Sequence, residues 1–358
     1  METILVFPCG LPESVAYAAE ARSAGKRVIG ASSVRFEPTA VHYDDWLYLP
    51  YVHDDNFVAK LQAAVSQAGI TTVFTPHDVV SSVLGDVLPR VMPDVQLRNT
   101  FPIAVKTREY RVVHDRARQL ETAADWFAVA NPRPRLSGAR LAGILRLVET
   151  VPGMSDNDKI AALIEIFRLA PAGDIVEIGS WWGKSAALLT LLSRHYGLGH
   201  VLCIDPWTSD ADTIRQGVDA LDRSSARLEW DDAFINFQCN LAPIADGRVN
   251  YIRGTSLQAA AQYQPGLTLD TEAFGATRYD GRIAVLHIDG NHAFERVNED
   301  VAAWTPHVVP GGVVIVDDYV WAFGDGPRRA GDAWLFANAD RIAFSFVMGT
   351  ALFMALKA

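Results

Sequence analysis

Short apolar runs alternate with amphipathic stretches along most of the chain. Residues 3–7 (Thr-Ile-Leu-Val-Phe) read as a buried strand, followed by a turn at 8–12 and a helix to about Ala24; Val28-Ile29-Gly30 opens a second strand. Residues 54–68 carry apolar positions at helical spacing, and Thr72-Val73-Phe74-Thr75 is a short β-branched run between Gly69 and Pro76. Strands separated by helices pair in parallel through crossovers, so residues 1–125 are expected to form a small α/β domain. The prolines of Asn131-Pro132-Arg133-Pro134-Arg135 exclude regular helix and remove amide donors, which marks 126–154 as a linker with a helix. A second helix is expected to open at Ser155, with Asp158 three residues on in a capping-box pattern ahead of Ile160, Leu163, Ile164 and Phe167. After Pro171 a second α/β series begins, with strands at 174–178, 200–204, 249–253, 283–288 and 313–316 and a closing pair near 342–347 and 351–355; residues 155–358 are expected to be the second domain.

Composition narrows the function classes. The 358 residues are 49% hydrophobic and 21% charged, as in a globular protein of two domains. A formal net charge of -10 repels phosphate backbones and anionic lipid, so neither nucleic acid nor membrane is an expected partner. No apolar run approaches the roughly 18 residues of a membrane span. The first ten residues lack the positive segment of a secretion signal, and Cys9, Cys203 and Cys239 are too scattered for a disulfide framework or a thiolate zinc site. A reducing, cytoplasmic location is the expectation.

The first stretch with chemistry in it is Glu177-Ile-Gly179-Ser180-Trp181-Trp182-Gly183-Lys184-Ser185, a strand end that turns into a helix through two glycines. Such a turn brings backbone amides close to a ligand. It imitates a phosphate loop, but that loop needs four residues between its first glycine and Gly-Lys, and here there are three. The tryptophans would crowd a phosphate further. Asp205, 22 residues beyond Gly183 at the next strand end, suits a different ligand, because a carboxylate there accepts from both hydroxyls of a ribose and rejects phosphate. S-adenosylmethionine, with a ribose and no pyrophosphate, fits that pattern.

The second stretch joins Asp289-Gly-Asn-His292 to Asp317-Asp318, both at the carboxyl edge of the sheet, where ligands of open α/β sheets bind. Three facing carboxylates must protonate or find a cation, and a hard divalent ion such as Mg2+ is the natural partner. Plainer roles stand beside these: Asp317 and Asp318 as caps, His292 as an exposed residue of a first helical turn, His287 as a hydrogen-bonded core histidine, Glu177 as a partner of backbone amides, and Trp207, Trp321 and Trp334 as packing.

The segments VEIGSWWGKSA, VLCIDPW, YIRGTS, VLHIDGNHAFERVNEDVAAW and VVPGGVVIVDDY together resemble class I S-adenosylmethionine-dependent methyltransferases over roughly residues 140–358. The acidic pattern resembles their metal-dependent O-methyltransferase branch, which includes catechol and macrolide-sugar (macrocin-type) enzymes. The resemblance implies a Rossmann-like sheet in the C-terminal domain beside the smaller N-terminal α/β domain. It places Glu177, Gly179, Ser180, Trp181 and Gly183 around the methionine part of the cofactor, Asp205 on the ribose, Ser256 near the adenine and Trp207 against the nucleoside. Asp289, which also borders the cofactor, would hold the ion with Asp317 and Asp318, and His292 with Asp289 would carry the catalysis, acting on the hydroxyl of a small molecule, a sugar or natural product. Residues 1–125 resemble the small domain that precedes the body of ATP-grasp ligases, without that body; an auxiliary or oligomerisation role is the expectation there. Long connections at 205–249 and 264–282 are expected to act as lids or specificity elements on the ligand side, and the basic stretch Gly324–Gly331 either to close over an acceptor bearing negative charge or to be an ordinary solvated loop. Two other readings stay open: a metal-binding relative of the cephalosporin-hydroxylase type, and a catalytically silent binding or assembly module.

Overall fold

The computed structural model describes residues 2–125, 132–216 and 218–358; residues 126–131 of the expected linker, Asn131 included, lie outside the described residues. The chain divides into two compact units at Val112/Val113. The division therefore precedes the expected boundary near 125. It falls inside the helix Pro102–Thr122, because Val113 and Ala117 of that helix are buried in the core of the second unit.

The first unit holds five parallel strands, β1 (Thr3–Val6), β2 (Arg27–Ser32), β3 (Asp45–Tyr48), β4 (Thr72–Phe74) and β5 (Gln96–Arg98), in the order β3-β2-β1-β4-β5. Leu5, Ile29 and Val73 pack on one face against Leu61 and Leu84 of the crossover helices, and Ile4, Val6 and Val28 pack on the other.

In the second unit the strands are β6 (Asp174–Ile178), β7 (Val201–Asp205), β8 (Val249–Arg253), β9 (Thr268–Thr271), β10 (Gly275–Arg278), β11 (Ile283–Ile288), β12 (Val308–Val316), β13 (Ile342–Met348) and β14 (Ala351–Leu356). Seven of them form one sheet in the order β13-β14-β12-β11-β6-β7-β8. Strands β8, β7, β6, β11 and β12 run parallel, and β14 and β13 close the edge antiparallel. Apolar residues alternate cleanly between the faces: Ile175, Cys203, Val285 and Ile315 lie in one core, Val176, Leu202, Leu286 and Val314 in the other. Helices on both faces explain why β6, β7 and β11 are buried along their whole length. The sheet is thus Rossmann-like. From β6 the chain builds outward to β7 and β8; from β11 it builds the other way to β12, so the order reverses between β6 and β11, and a crevice opens at their carboxyl ends.

Three local expectations are corrected. The helix expected to start at Ser155 runs Asn157–Leu169 and is capped by Asp156, whose Oδ1 accepts the amides of Asp158 (2.8 Å) and Lys159 (2.9 Å). Residues 264–282 are no lid: they contain the hairpin β9–β10, held at the amino ends of the strands. Asn250 Nδ2 donates to the carbonyls of Leu269 and Gly275, Tyr279 donates its hydroxyl to the carbonyl of Val201, and Asp174 Oδ2 accepts the amides of Asp280 and Gly281. The stretch Gly324–Gly331 is not an open loop either, since it leads into the helix Gly326–Ala337, whose Gly326, Pro327, Ala330 and Gly331 are buried. Small residues are required there, as a methyl group on Gly326 would stand 2.1 Å from the carbonyl oxygen of His292. Only 205–249 of the three connections covers the ligand side, through three short helices.

Candidate functional site

A cleft of about 700 Å³ lies over the carboxyl ends of β6, β7, β11 and β12, entirely within the second unit. Its floor is made of the turns that follow these strands. Non-glycine residues with left-handed backbone are rare, yet three of them stand here: Trp181 (φ 43°), Trp207 (φ 38°) and Asp318 (φ 51°). Strained backbone of this kind persists where surrounding structure imposes it, commonly at ligand sites.

Asp205 ends β7 and lines the cleft. Its Oδ2 accepts the amide of Trp181 at 3.0 Å and its Oδ1 the amide of Trp207 at 2.8 Å, so the turns after β6 and β7 aim it together. Burial pushes its carboxyl up to about 6, with Glu177 adding to the rise and the amides opposing it. Each oxygen retains a lone pair for a ligand hydroxyl. Nearby, Ser180 Oγ and Trp181 Nε1, on residues that line the cleft, are buried without a hydrogen-bond partner among the described residues. Buried polar groups of this sort are costly unless a partner from outside the chain reaches them. Gly179 and Gly183 shape the same turn with φ of 84° and 88°.

The acidic residues do not meet as three carboxylates. They divide into two sets that share Asp289: an inner set of His287, Asp289 and Asp317, and an outer set of Asp289, His292 and Asp318, the ligand atoms within each set lying within 4.8 Å of one another. Asp317 points inward. Its Oδ2 pairs with Lys159 Nζ and lies 3.4 Å from His287 Nε2, while its Oδ1 accepts from the hydroxyl of Thr350 at 2.8 Å and from the amide of Asp318. The ammonium of Lys159 and the imidazole of His287 hold the Asp317 carboxyl well below the usual range despite its burial. Asp289 Oδ2 lies 3.6 Å from Lys159 Nζ; desolvation and the charge of Asp317 push its carboxyl up. His287 is buried, yet its pKa rises to about 9, because Asp317 and Glu177 favour the charged ring more than burial opposes it. It is a core histidine, as expected, but one joined to the acids.

In the outer set His292 Nε2 lies 2.7 Å from Asp318 Oδ2. Gln216 Oε1 accepts from the His292 amide and faces its Nδ1, each at 2.8 Å, and the Trp321 ring stacks on the imidazole at 4.3 Å. An oxygen–nitrogen–oxygen donor set of this kind suits a divalent ion. The residues present therefore fit an ion at the outer set, whereas the inner set already faces an ammonium group.

Two expected cofactor contacts do not line the cleft. Glu177 is fully buried and sits beside His287 in register, its Oε1 3.2 Å from His287 Nδ1. Trp207 is buried among Phe234, Phe237 and Tyr251, and donates its indole N–H to the carbonyl of Trp181 at 2.8 Å. Ser256 does line the cleft and accepts from the indole of Trp304 at 2.8 Å. Its other neighbour is Asp300, also on the cleft wall, which burial pushes up to about 6.

Sequence reasoning missed Lys159, Gln216, Asp300 and Thr350. A signal for Lys159 existed: it stands four and seven residues before the buried Leu163 and Ile166, hence on the apolar stripe of its helix. Gln216, Asp300 and Thr350 reach the site only through the tertiary fold.

Residues 176–319 match a family model described as a methyltransferase domain. A relative from Streptomyces olivaceus, 8-demethyl-8-(2,3-dimethoxy-alpha-L-rhamnosyl)-tetracenomycin-C 4'-O-methyltransferase, is 27% identical over 188 residues, covering 52% of this chain and 67% of the relative. Among solved structures the chain is similar to the O-methyltransferase NovP, with 22% identity, 73% of this chain and 90% of that one covered, and a TM-score of 0.40. It is similar also to the MycE methyltransferase from the mycinamycin biosynthetic pathway, solved with Mg and SAH, with 16% identity, 64% and 56% covered, and a TM-score of 0.35. No helix among the described residues is long and apolar enough to cross a membrane.

Proposed function

With a methyltransferase domain at residues 176–319 as the premise, we propose that the chain is an S-adenosylmethionine-dependent O-methyltransferase acting on a hydroxyl of a small molecule, a sugar or natural product, with a divalent ion such as Mg2+. One observation carries this reading: a carboxylate aimed by two amides, Asp205, shares a cleft with the acid–base set Asp289, His292 and Asp318. The sugar preference draws on the relative from Streptomyces olivaceus, whose name specifies a rhamnosyl compound.

When bound, S-adenosylmethionine supplies an electrophilic methyl group on sulfur, and the ion supplies Lewis acidity that eases deprotonation of a hydroxyl. Asp205 accepts from the ribose hydroxyls, and Ser256 and Asp300 face the adenine end. Asp289 and Asp318 would hold the ion, with His292 beside them. His292 takes the acceptor's proton. Gln216 Oε1, an acceptor only, fixes the proton on Nδ1 and leaves Nε2 as the accepting nitrogen once Asp318 is engaged elsewhere. Alignment of the acceptor oxygen within the cleft, toward the methyl group the cofactor would supply, would provide most of the acceleration. Glu177 and Trp207 act at one remove, through His287 and the Trp181 turn. The N-terminal unit, with its all-parallel sheet, is read as an auxiliary domain resembling the one that precedes ATP-grasp bodies.

Calorimetry with S-adenosylhomocysteine and ATP tests the reading. The first is expected to bind and the second not, and Asp205→Ala should abolish binding. Methylation of a panel of glycosylated acceptors should require Mg2+ and vanish in His292→Ala with S-adenosylhomocysteine affinity intact. Failure of wild-type protein to bind S-adenosylhomocysteine overturns the cofactor assignment, and full activity in chelator overturns the ion.

A further inference from the structure

A buried and a partly exposed carboxylate, Asp317 and Asp289, at neighbouring strand tips ordinarily invite a metal, but this chain brings its own cation to them. Lys159 is only 2% exposed, and its ammonium pairs with Asp317 Oδ2 and stands 3.6 Å from Asp289 Oδ2. Its backbone is held by the Asp156 cap, and Asp156 Oδ2 in turn accepts the amide of Thr350, the residue whose hydroxyl binds Asp317. Lysine and aspartate are thus fixed from both sides. His287 Nε2 stands beside them, 3.4 Å from Asp317 Oδ2 and 4.0 Å from Asp289 Oδ2. A dication placed among these atoms would meet the Lys159 ammonium at low dielectric, where repulsion is strongest. In the outer set Asp318 pairs with His292, and Lys159 approaches only the shared Asp289.

We propose that Lys159 is the resident counter-cation of Asp317 and Asp289, closing the inner His287–Asp289–Asp317 set to divalent ions and leaving the outer Asp289–His292–Asp318 set to take one. This rests on the ion-dependent reading above. It makes Lys159 a positioning residue that decides where the ion sits, and it removes Asp317 from the ligand set.

The test is titration of the full chain with Mn2+ alone, by calorimetry and by electron paramagnetic resonance of the free and bound ion. Wild type is expected to bind one Mn2+. K159M, which keeps length and loses charge, should bind it at least about tenfold tighter because the Asp317 carboxylate is then free to face the ion. The double variant K159M/D317N should lose that gain and return to about wild-type affinity. D317N alone should bind like wild type. If K159M folds only with Mn2+ present, that dependence is the predicted gain; if it folds in neither condition, D317N decides, and a tenfold loss of affinity in it overturns the proposal. Binding by wild type that K159M does not improve overturns this inference alone. Binding by K159M but not by wild type overturns the assignment of an ion to the outer set, and the ion-dependent function with it. No binding by either overturns both.

Discussion

A methyl group on Gly179 would lie 2.0 Å from the carbonyl oxygen of Asp289. The tips of β6 and β11 are therefore in backbone contact where the cleft begins, and no side chain fits between them. Gly179 also has φ of 84°, which other residues adopt at a cost. Gly179→Ala should lose at least about 2 kcal/mol in urea unfolding. Gly143→Ala is the matched control. It lies inside the helix Gly138–Thr150 with nothing within 4 Å of the new methyl, and should be neutral or gain up to about 1 kcal/mol.

Asp205 lines the cleft and Glu177 does not, which separates their two expected effects. Asp205→Asn keeps an oxygen for one backbone amide but loses the charge, and S-adenosylhomocysteine affinity should fall at least about tenfold. Glu177→Gln alters a residue that does not line the cleft, and the affinity should stay within about threefold by the same calorimetry.

Asp300 gives a pH signature. Its carboxyl is raised from the ordinary 3.8 to about 6, chiefly by burial. Between those values the folded chain holds a proton that the unfolded chain has released, so stability from this group is present at low pH and lost as pH rises toward 6. Asn cannot ionise, and in Asp300→Asn that loss disappears. The stability difference between Asp300→Asn and wild type should therefore shift in favour of the variant from pH 4 to 6, by at most about 1.4 kcal/mol per pH unit, and stay level above about 7. Urea unfolding at pH 4, 5, 6 and 7 measures it; a difference that is flat across the series would refute the assignment.

Glu165 lies nearly buried between Arg135 and Arg168, and its Oε2 is 2.7 Å from Arg168 Nη1. Removing one charge from such a group strands the others in low dielectric. Glu165→Gln should destabilise the second unit by about 3 kcal/mol, read as a lower denaturant midpoint.

The sheet was readable because its strands are short, β-branched and punctuated by glycine or proline. β6, β8 and β11 occupy the positions expected from pattern alone, and β7 and β13 differ by a residue at their ends. β12 begins five residues early because Val308 already pairs with Ile283 before an irregularity in the register. The hairpin β9–β10 was hidden, since alternation over four residues is too short to separate from loop, and β5 is three residues long. At the site, Asp205, Asp289 and His292 were legible from their places after strands. What a linear reading could not show is which way neighbouring acids point. Asp317 and Asp318 are adjacent in sequence, yet the left-handed backbone at Asp318 sends one toward Lys159 and the other toward His292. A lysine supplied by a helix 158 residues earlier then takes the place that charge counting had reserved for a metal.

The turn that joins β13 to β14 carries a further constraint. A methyl group on Gly349 would collide with the Asp156 carboxylate at 2.4 Å, and Thr350 bonds both Asp156 and Asp317. This hairpin works as a strut braced against Asp156 and Asp317, although it falls outside the segment 176–319. Grafting it from another protein, or lengthening it by one residue, would unseat Asp317 without touching any strand tip, so attempts to re-engineer the edge of the sheet must carry Gly349-Thr350 along with Asp156 as one inherited unit.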